Sequence, residues 1–376
     1  MKFLSTALLF VSTLCYSQLD NSMLFFNTKV DTSHENELFI KIQNLNFMKN
    51  NEYATYMADG YTLFGYQLNP QIGYTFARNL SLEAGVFIAK DFGKDQYHKV
   101  LPTFSLRYYK KDFKMVFGNL DGSVNHQLIE PLYNFEKVLT NRLESGAQFV
   151  LNTRTFDFDA WINWVNMIYK PSGEKEKLFV RLNLNVLKFR NEKWEFRIPL
   201  QFTAVHTGGQ IDTLNSGSST DMAYAGGFVL KRLFASGPLK NVYCDVRYAA
   251  RENGYYFDTI AIKSYGDGLL ANIGCVTKFN TDVMLSYWNA TNFYTEFGGD
   301  LYSSQSRNIA YPKYYESLRE IFILRVTQKI ELNKGINLML RLEPNYDMRL
   351  TRFDHSYGFY ISIDETFWLK KKIKPE

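Results

Sequence analysis

Beyond its first seventeen residues the chain has no run of about twenty apolar residues, so it has no candidate membrane-spanning helix. Cysteine is scarce, with three in all. That excludes a disulfide-stapled scaffold and any zinc site built on paired CxxC motifs. Cys244 and Cys275 fall in different predicted strands on the outward parity, and read as small hydrophobic residues rather than a bridge. Histidine is also rare, at five: His34, His98, His126, His206 and His355. All map to loops or strand ends, and none sits in a recognisable nucleophile setting. There is no HExxH, no Gly-rich phosphate loop and no DxDxDG calcium spacing. These absences point away from an enzyme and call for no cofactor and no metal. No charge of one sign prevails, because the balance is only +5 and is spread evenly. Nucleic acid is therefore not expected as a partner, and the clusters Lys110-Lys111 and Lys370-Lys371-Lys372 read as a turn and a tail.

The N-terminus has the layout of a secretory signal peptide. Met1-Lys2 is a short positive region, Phe3 to Cys15 is mostly apolar, and Ser17 supplies a small residue before a cut at Gln18. Acylation at Cys15 is the competing reading, but Leu14 stands where a lipoprotein motif wants a small residue. The expected organisation is a cleaved leader over 1–17 and a periplasmic N-terminal segment over 18–35. A barrel over 36–368 and a basic periplasmic tail over 369–376 complete it.

Aromatic residues are abundant, at 16%, with 31 Phe and 26 Tyr. Membrane barrels spend such residues on interfacial girdles. Period-two alternation recurs along most of the mature chain. Leu178, Val180, Leu182, Leu184 and Val186 alternate with Phe179, Arg181, Asn183, Asn185 and Leu187. Ile336, Leu338, Leu340 and Leu342 alternate with Asn337, Met339, Arg341 and Glu343. Such runs reach about 10 to 14 residues, against about 5 to 6 for strands of soluble domains. Charges recurring on one face are costly in a dry core and ordinary beside a watery lumen.

Sixteen strands fit this pattern, with fourteen to eighteen compatible with the boundaries. Asn69-Pro70 marks the weakest of them as a kink or a break. Short turns at Ala77–Asn79, Lys110–Lys111, Asn191–Glu192, Ser236–Pro238, Asn280 and Leu332–Lys334 alternate with long connections. The long ones are expected at 49–59, 91–97, 121–143, 166–176, 206–220, 252–267, 293–317 and 347–354. The fold class is therefore all-β, a transmembrane antiparallel up-and-down β-barrel in the outer membrane.

Seven basic residues fall on the inward parity as pore-lining candidates: Arg107, Arg181, Arg197, Arg247, Arg325, Lys329 and Arg341. Acidic residues on the same parity nearly balance them, so a hydrated wall with paired charges competes with a basic track for anions. A symmetric turn at Leu332–Lys334 would set Arg325 opposite Arg341 and favour the track. The loop from Asp121 to Thr140 is rich in Leu, Ile, Tyr and Phe, too apolar for a purely solvated loop. Either it folds into the lumen, with Asp121, His126, Glu130 and Glu136 at a constriction, or it packs on the rim.

The Ser17-Gln18 leader end, the run FGNLDGSVNHQLIEPLYNFE at Phe117 to Glu136, and the alternating strands resemble uncharacterised porin-like outer-membrane proteins of the Bacteroidetes type. The resemblance implies a barrel and an outer-membrane address, with no established substrate or catalytic residue. Phe367-Trp368 would present the terminal aromatic signal to the barrel-assembly machinery. The function expected from the residues is a porin-like channel for small polar solutes, anionic ones included. A non-conducting accessory barrel of an envelope complex is the alternative, and oligomerisation stays open.

Overall fold

A computed structural model describes residues 19–26, 34–209, 211–214, 216–257 and 260–369. The leader, its cleavage site before Gln18 and residues 370–376 of the tail lie outside the described residues. Sixteen strands run β1 (Leu38–Glu52), β2 (Tyr61–Ala77), β3 (Leu80–Asp91), β4 (Lys99–Lys110), β5 (Phe113–Asn119), β6 (Ser145–Asn152), β7 (Asp157–Asn166) and β8 (Lys177–Arg190). Then follow β9 (Trp194–Thr207), β10 (Ser218–Leu233), β11 (Leu239–Phe257), β12 (Ile260–Thr277), β13 (Thr281–Thr291), β14 (Leu318–Asn333), β15 (Ile336–Asp347) and β16 (Arg352–Trp368). Each pairs antiparallel with its sequence neighbour, and β1 closes on β16, so the sheet is a sealed barrel without edges.

Burial is inverted relative to a soluble protein. On β1 the lumen face carries Lys41, Gln43, Lys49 and Asn51, all buried, while Phe64, Ile72 and Phe76 of β2 lie exposed on the outside. Exposed apolar rows around the wall are what a hydrocarbon surround requires. The free thiols of Cys244 and Cys275 are half-buried. Tight turns at one end use left-handed residues, among them Lys111, Asn280 and Gly237. That end is periplasmic, since the long loops rise from the other.

Three local expectations change. The segment 252–267 is mainly strand, because β11 and β12 extend to Phe257 and from Ile260. Asn69-Pro70 breaks no strand; β2 runs through it, and only its ladder to β3 lapses, between the pairs Leu68–Ile88 and Gln71–Gly85. Proline has no N–H to give to that ladder. Arg325 does not face Arg341. An irregularity between Glu331 and Asn333 shifts the β14–β15 register, so Arg341 opposes Thr327 and Arg325 lies against Glu343 instead.

The wall is lowest at β5 and β6, of seven and eight residues. There Gly118 and Gly146 pair across the ladder at φ +101 and +155. A Cβ on either would come within 2.2 Å or 2.1 Å of a neighbouring carbonyl oxygen. Glycine is thus required where the chain leaves the wall and turns inward.

Candidate functional site

Residues 120–144 fold into the lumen. A 3-10 turn (Ser123–His126) and a single helical turn, α1 (Lys137–Thr140), are its only regular pieces. Ile129, Leu132, Phe135, Val138 and Leu139 are buried. Ile129 and Leu132 pack against Ala223, Ala225, Ala249 and Ala290 of the wall, where small side chains leave room for the loop. Backbone groups of the loop are satisfied by wall amides. Gln201 accepts from the Ile129 N–H at 2.9 Å and donates to the Gln127 carbonyl at 2.9 Å. Gln67 donates to the Val138 and Leu139 carbonyls, which end α1 without intrahelical partners.

The structure brings the sequence-predicted residues together as ion pairs between loop and wall. Arg107 meets Asp121 at 2.7 Å. His126 stacks on Trp161 and lies between Asp159 at 2.7 Å and Glu144 at 3.3 Å. Burial opposes its charge, but these two carboxylates raise its pKa. Arg181 reaches Glu144 at 3.2 Å. Glu130 bridges Arg325 at 2.5 Å and Arg341 at 3.0 Å, and both arginines share Glu343. Arg197 and Arg247 instead pair with acids on their own strands, Glu195 and Asp245. Lys329 binds Asp20, so the segment 19–26 enters the lower lumen from the periplasmic end. Leu24 packs there against the loop, and its carbonyl accepts from Arg142 at 3.0 Å. Of the two placements open for the 121–140 loop, the structure has the inward one, with the loop packed inside the barrel against its wall.

Two further loops cover it from above. Residues 292–317 lie on the inward loop, where Asn134 N–H donates to the Phe297 carbonyl and Gly299 N–H to the Glu130 carbonyl. The loop 53–60 in turn meets 292–317 through Arg307 N–H to the Met57 carbonyl and Ser306 to the Tyr56 carbonyl. Between these loops and the wall is a cavity of about 50 Å³, reaching from the upper end of β1 to Arg325. Glu136 projects into it. Its carboxylate accepts from Lys49 Nζ at 2.7 Å, from Asn51 Nδ2 at 2.7 Å and from the Tyr61 hydroxyl. Asp300 lines the same cavity. The two acids are driven apart. Burial works against the Glu136 charge, but the Lys49 charge and the hydrogen bonds from Lys49, Tyr61 and Asn51 hold its pKa below the ordinary value. Burial pushes the Asp300 carboxyl up, and the Glu136 charge adds to that against the pull of Arg307. Among the described residues no cluster of three or more His, Cys, Asp or Glu is placed to hold a metal.

The family model of lipid A 3'-O-deacylase-type proteins matches residues 30–372. The chain belongs to that family. No curated protein matches it closely enough to stand as a relative. Its barrel is similar to solved outer-membrane proteins at low identity. OmpT of Vibrio cholerae, expressed in the outer membrane, is 10% identical at a TM-score of 0.50, covering 91% of this chain and 100% of that one. Its loop L8 deletion mutant is 11% identical at 0.51, covering 87% and 99%. OprD from Pseudomonas aeruginosa is 9% identical at 0.47, covering 92% and 98%. The two OmpT likenesses speak to fold alone, that of an outer-membrane barrel.

Membership of a lipid A 3'-O-deacylase-type family, an enzyme family by its description, overturns the expectation that the chain is not an enzyme. The polar residues of the upper cavity, among them Lys49, Asn51, Tyr61, Glu136 and Asp300, stand at separations that carry no motif. Lys49 and Asn51 were hidden because 49–59 reads as loop, whereas β1 continues to Glu52. At that end β1 is polar on both faces, which erases the period-two signal.

Proposed function

We propose that this chain hydrolyses an acyl ester of an outer-leaflet glycolipid, with the cavity around Glu136 and Asp300 as the reaction chamber. The observation that carries the reading is two carboxylates in one covered cavity with their pKa values separated by their surroundings. Pairs of that kind divide into a fixed anion and a proton carrier. Asp300 is the carrier, raised toward the range in which a carboxylate can both take and return a proton. It accepts a proton from a water molecule that attacks the ester carbonyl. It then returns the proton to the sugar oxygen as the acyl carbon–oxygen bond breaks, releasing a fatty acid. Two of the three Lys49 N–H groups are engaged, by Asn51 Oδ1 at 2.5 Å and by Glu136. The third is available to the oxyanion that develops on the carbonyl. Glu136 fixes Lys49, Asn51 and Tyr61 in place.

The outer wall beside this cavity supports a lipid approach. On the opposite parity of the same strands, Asn50 donates to Glu52 and to the Tyr357 hydroxyl, and accepts from Thr62. Polar side chains on the outside of a barrel are costly in hydrocarbon and suit a headgroup. The test is expression in a Gram-negative host followed by mass spectrometry of lipid A. One acyl chain is lost with the unaltered protein and kept with Asp300→Asn or Glu136→Gln. Unchanged acylation with a folded, surface-located protein refutes the reading.

A channel for small polar solutes is the second reading, favoured by the charged residues that face the lumen from every side, Arg107, Arg181, Arg197, Arg247, Arg325 and Arg341 among them. It requires the three loops to withdraw. Planar-bilayer recordings test it, with stepwise conductance as the expected result and electrical silence as the refuting one.

A further inference from the structure

We infer a second, periplasm-facing site that binds a small soluble oxyanion, of the phosphate or carboxylate class, between Arg197 and Arg247. A cavity of about 60 Å³ lies beneath the inward loop, floored by Leu19 and Asn21 of the N-terminal segment. That volume holds a few waters or one small anion. Arg197, Arg247 and Arg325 line it, together with the amides Asn183, Gln201 and Asn272. Its one acidic lining residue, Glu130, is already bound by Arg325 and Arg341.

The two remaining arginines are only half-satisfied. Asp245 takes the Nε and Nη2 edge of Arg247, leaving Nη1 buried without a hydrogen-bond partner. Glu195 faces Nε of Arg197, and its Nη2 is likewise buried and unpartnered. Arg247 is 3% exposed and Arg197 9%. A buried guanidinium edge without an acceptor costs free energy that an anion would recover. The neighbouring strand makes room. Between Arg197 on β9 and Arg247 on β11, β10 presents Gly227, paired directly with Arg247. A Cβ there would meet the Val246 carbonyl oxygen at 1.8 Å, so this position carries no side chain, and the only bulk that β10 sets between the two cations is Val229, paired with Arg197. Arg197 is the fourth residue of β9 from its periplasmic start, which places the site on that side of the loop. Arg197 and Arg247 line this cavity and not the upper one, although the two meet at Glu130, Phe135, Tyr302 and Arg325, and the site does not depend on the hydrolase reading.

The experiment is calorimetric titration of inorganic phosphate into the full chain, folded in detergent at fixed ionic strength in chloride. The expected result is saturable binding at one site, weakened at least tenfold in Arg197→Gln or Arg247→Gln and lost in the double variant. Heat-modifiable electrophoretic mobility confirms that the variants fold. No saturable binding, or unchanged affinity in the double variant, overturns the proposal. Short-chain phosphatidylglycerol separates a lipid headgroup from a free anion. It should give no such heat, and preference for it over phosphate also overturns the assignment. If the variants fail to fold, selenate soaked into crystals of the unaltered protein should give anomalous density at the two guanidiniums. An empty cavity there is equally decisive against it.

Discussion

Glu144 is the pivot on which the inward loop is held, and Glu144→Gln tests that directly. Its carboxylate is 2% exposed. One oxygen accepts from the Tyr133 hydroxyl at 2.7 Å, Arg181 at 3.2 Å and the Ser123 N–H at 3.3 Å. The other accepts from Trp161 Nε1 at 3.0 Å and faces His126 Nε2 at 3.3 Å. Trp161 and Arg181 belong to the wall, the other three to the loop, so this single side chain joins the two. The amide keeps the shape but removes the charge that neutralises Arg181 and His126. Leaving a buried charge without its partner costs about 3 to 5 kcal/mol. The barrel ladder is untouched, so the loss falls on loop docking, and the ratio of released to docked loop rises by about 10² to 4 × 10³. Protease added to intact cells should cleave within 120–144 in the variant and spare the unaltered protein. Bilayer recordings of the variant should show openings that the unaltered protein lacks. Equal protease resistance in the two proteins would refute the account of Glu144 as the anchor.

Loop docking should also depend on pH in both directions. His126 has a raised pKa, so its contribution is full below 6.5 and is lost as pH rises through the raised value. Glu136 and Glu144 are lowered, so theirs is full above about 4.5 and lost as pH falls through the lowered values. Hydrogen exchange of residues 123–144 should be slowest between those limits; a flat profile refutes it. Gly73→Ala places a methyl 2.0 Å from the Phe39 ring, which is buried against Trp368 at the β1–β16 seam. Overpacking of that kind costs about 1 to 3 kcal/mol, read as a lower urea midpoint of barrel unfolding. Glu343→Gln removes the acid shared by Arg325 and Arg341 and should loosen Glu130 and the loop around it. Accelerated exchange at 129–133 with an unchanged barrel midpoint is the expected signature.

The barrel was legible because lipid outside and charge inside impose period two over strands long enough to display it. Arg181, Arg325 and Arg341, on the inward parity, are buried and paired with acids of the inward loop. The inward loop was half legible: Leu128, Ile129, Leu132, Tyr133 and Phe135 are too apolar for water, yet alternation cannot distinguish lumen from rim. What remained hidden depends on contacts between distant segments. Glu144 lies one residue before β6, outside any pattern, and acquires its role from Trp161 and Arg181. Asp300 sits in a long loop and matters because that loop covers Glu136. The Arg325–Arg341 juxtaposition failed on one bulge, since a register shift at a turn is invisible to residue spacing.

Glu130 also bears on how the molecule is made. It emerges between β5 and β6 but is fastened by arginines on β14 and β15, 195 and 211 residues later. The loop can therefore be fastened only once β5, β6, β14 and β15 belong to the same sheet. Two covering loops, 53–60 and 292–317, then lie over it from above. A lesion at either Arg325 or Arg341 should therefore register as a defect in biogenesis as well as in the finished barrel.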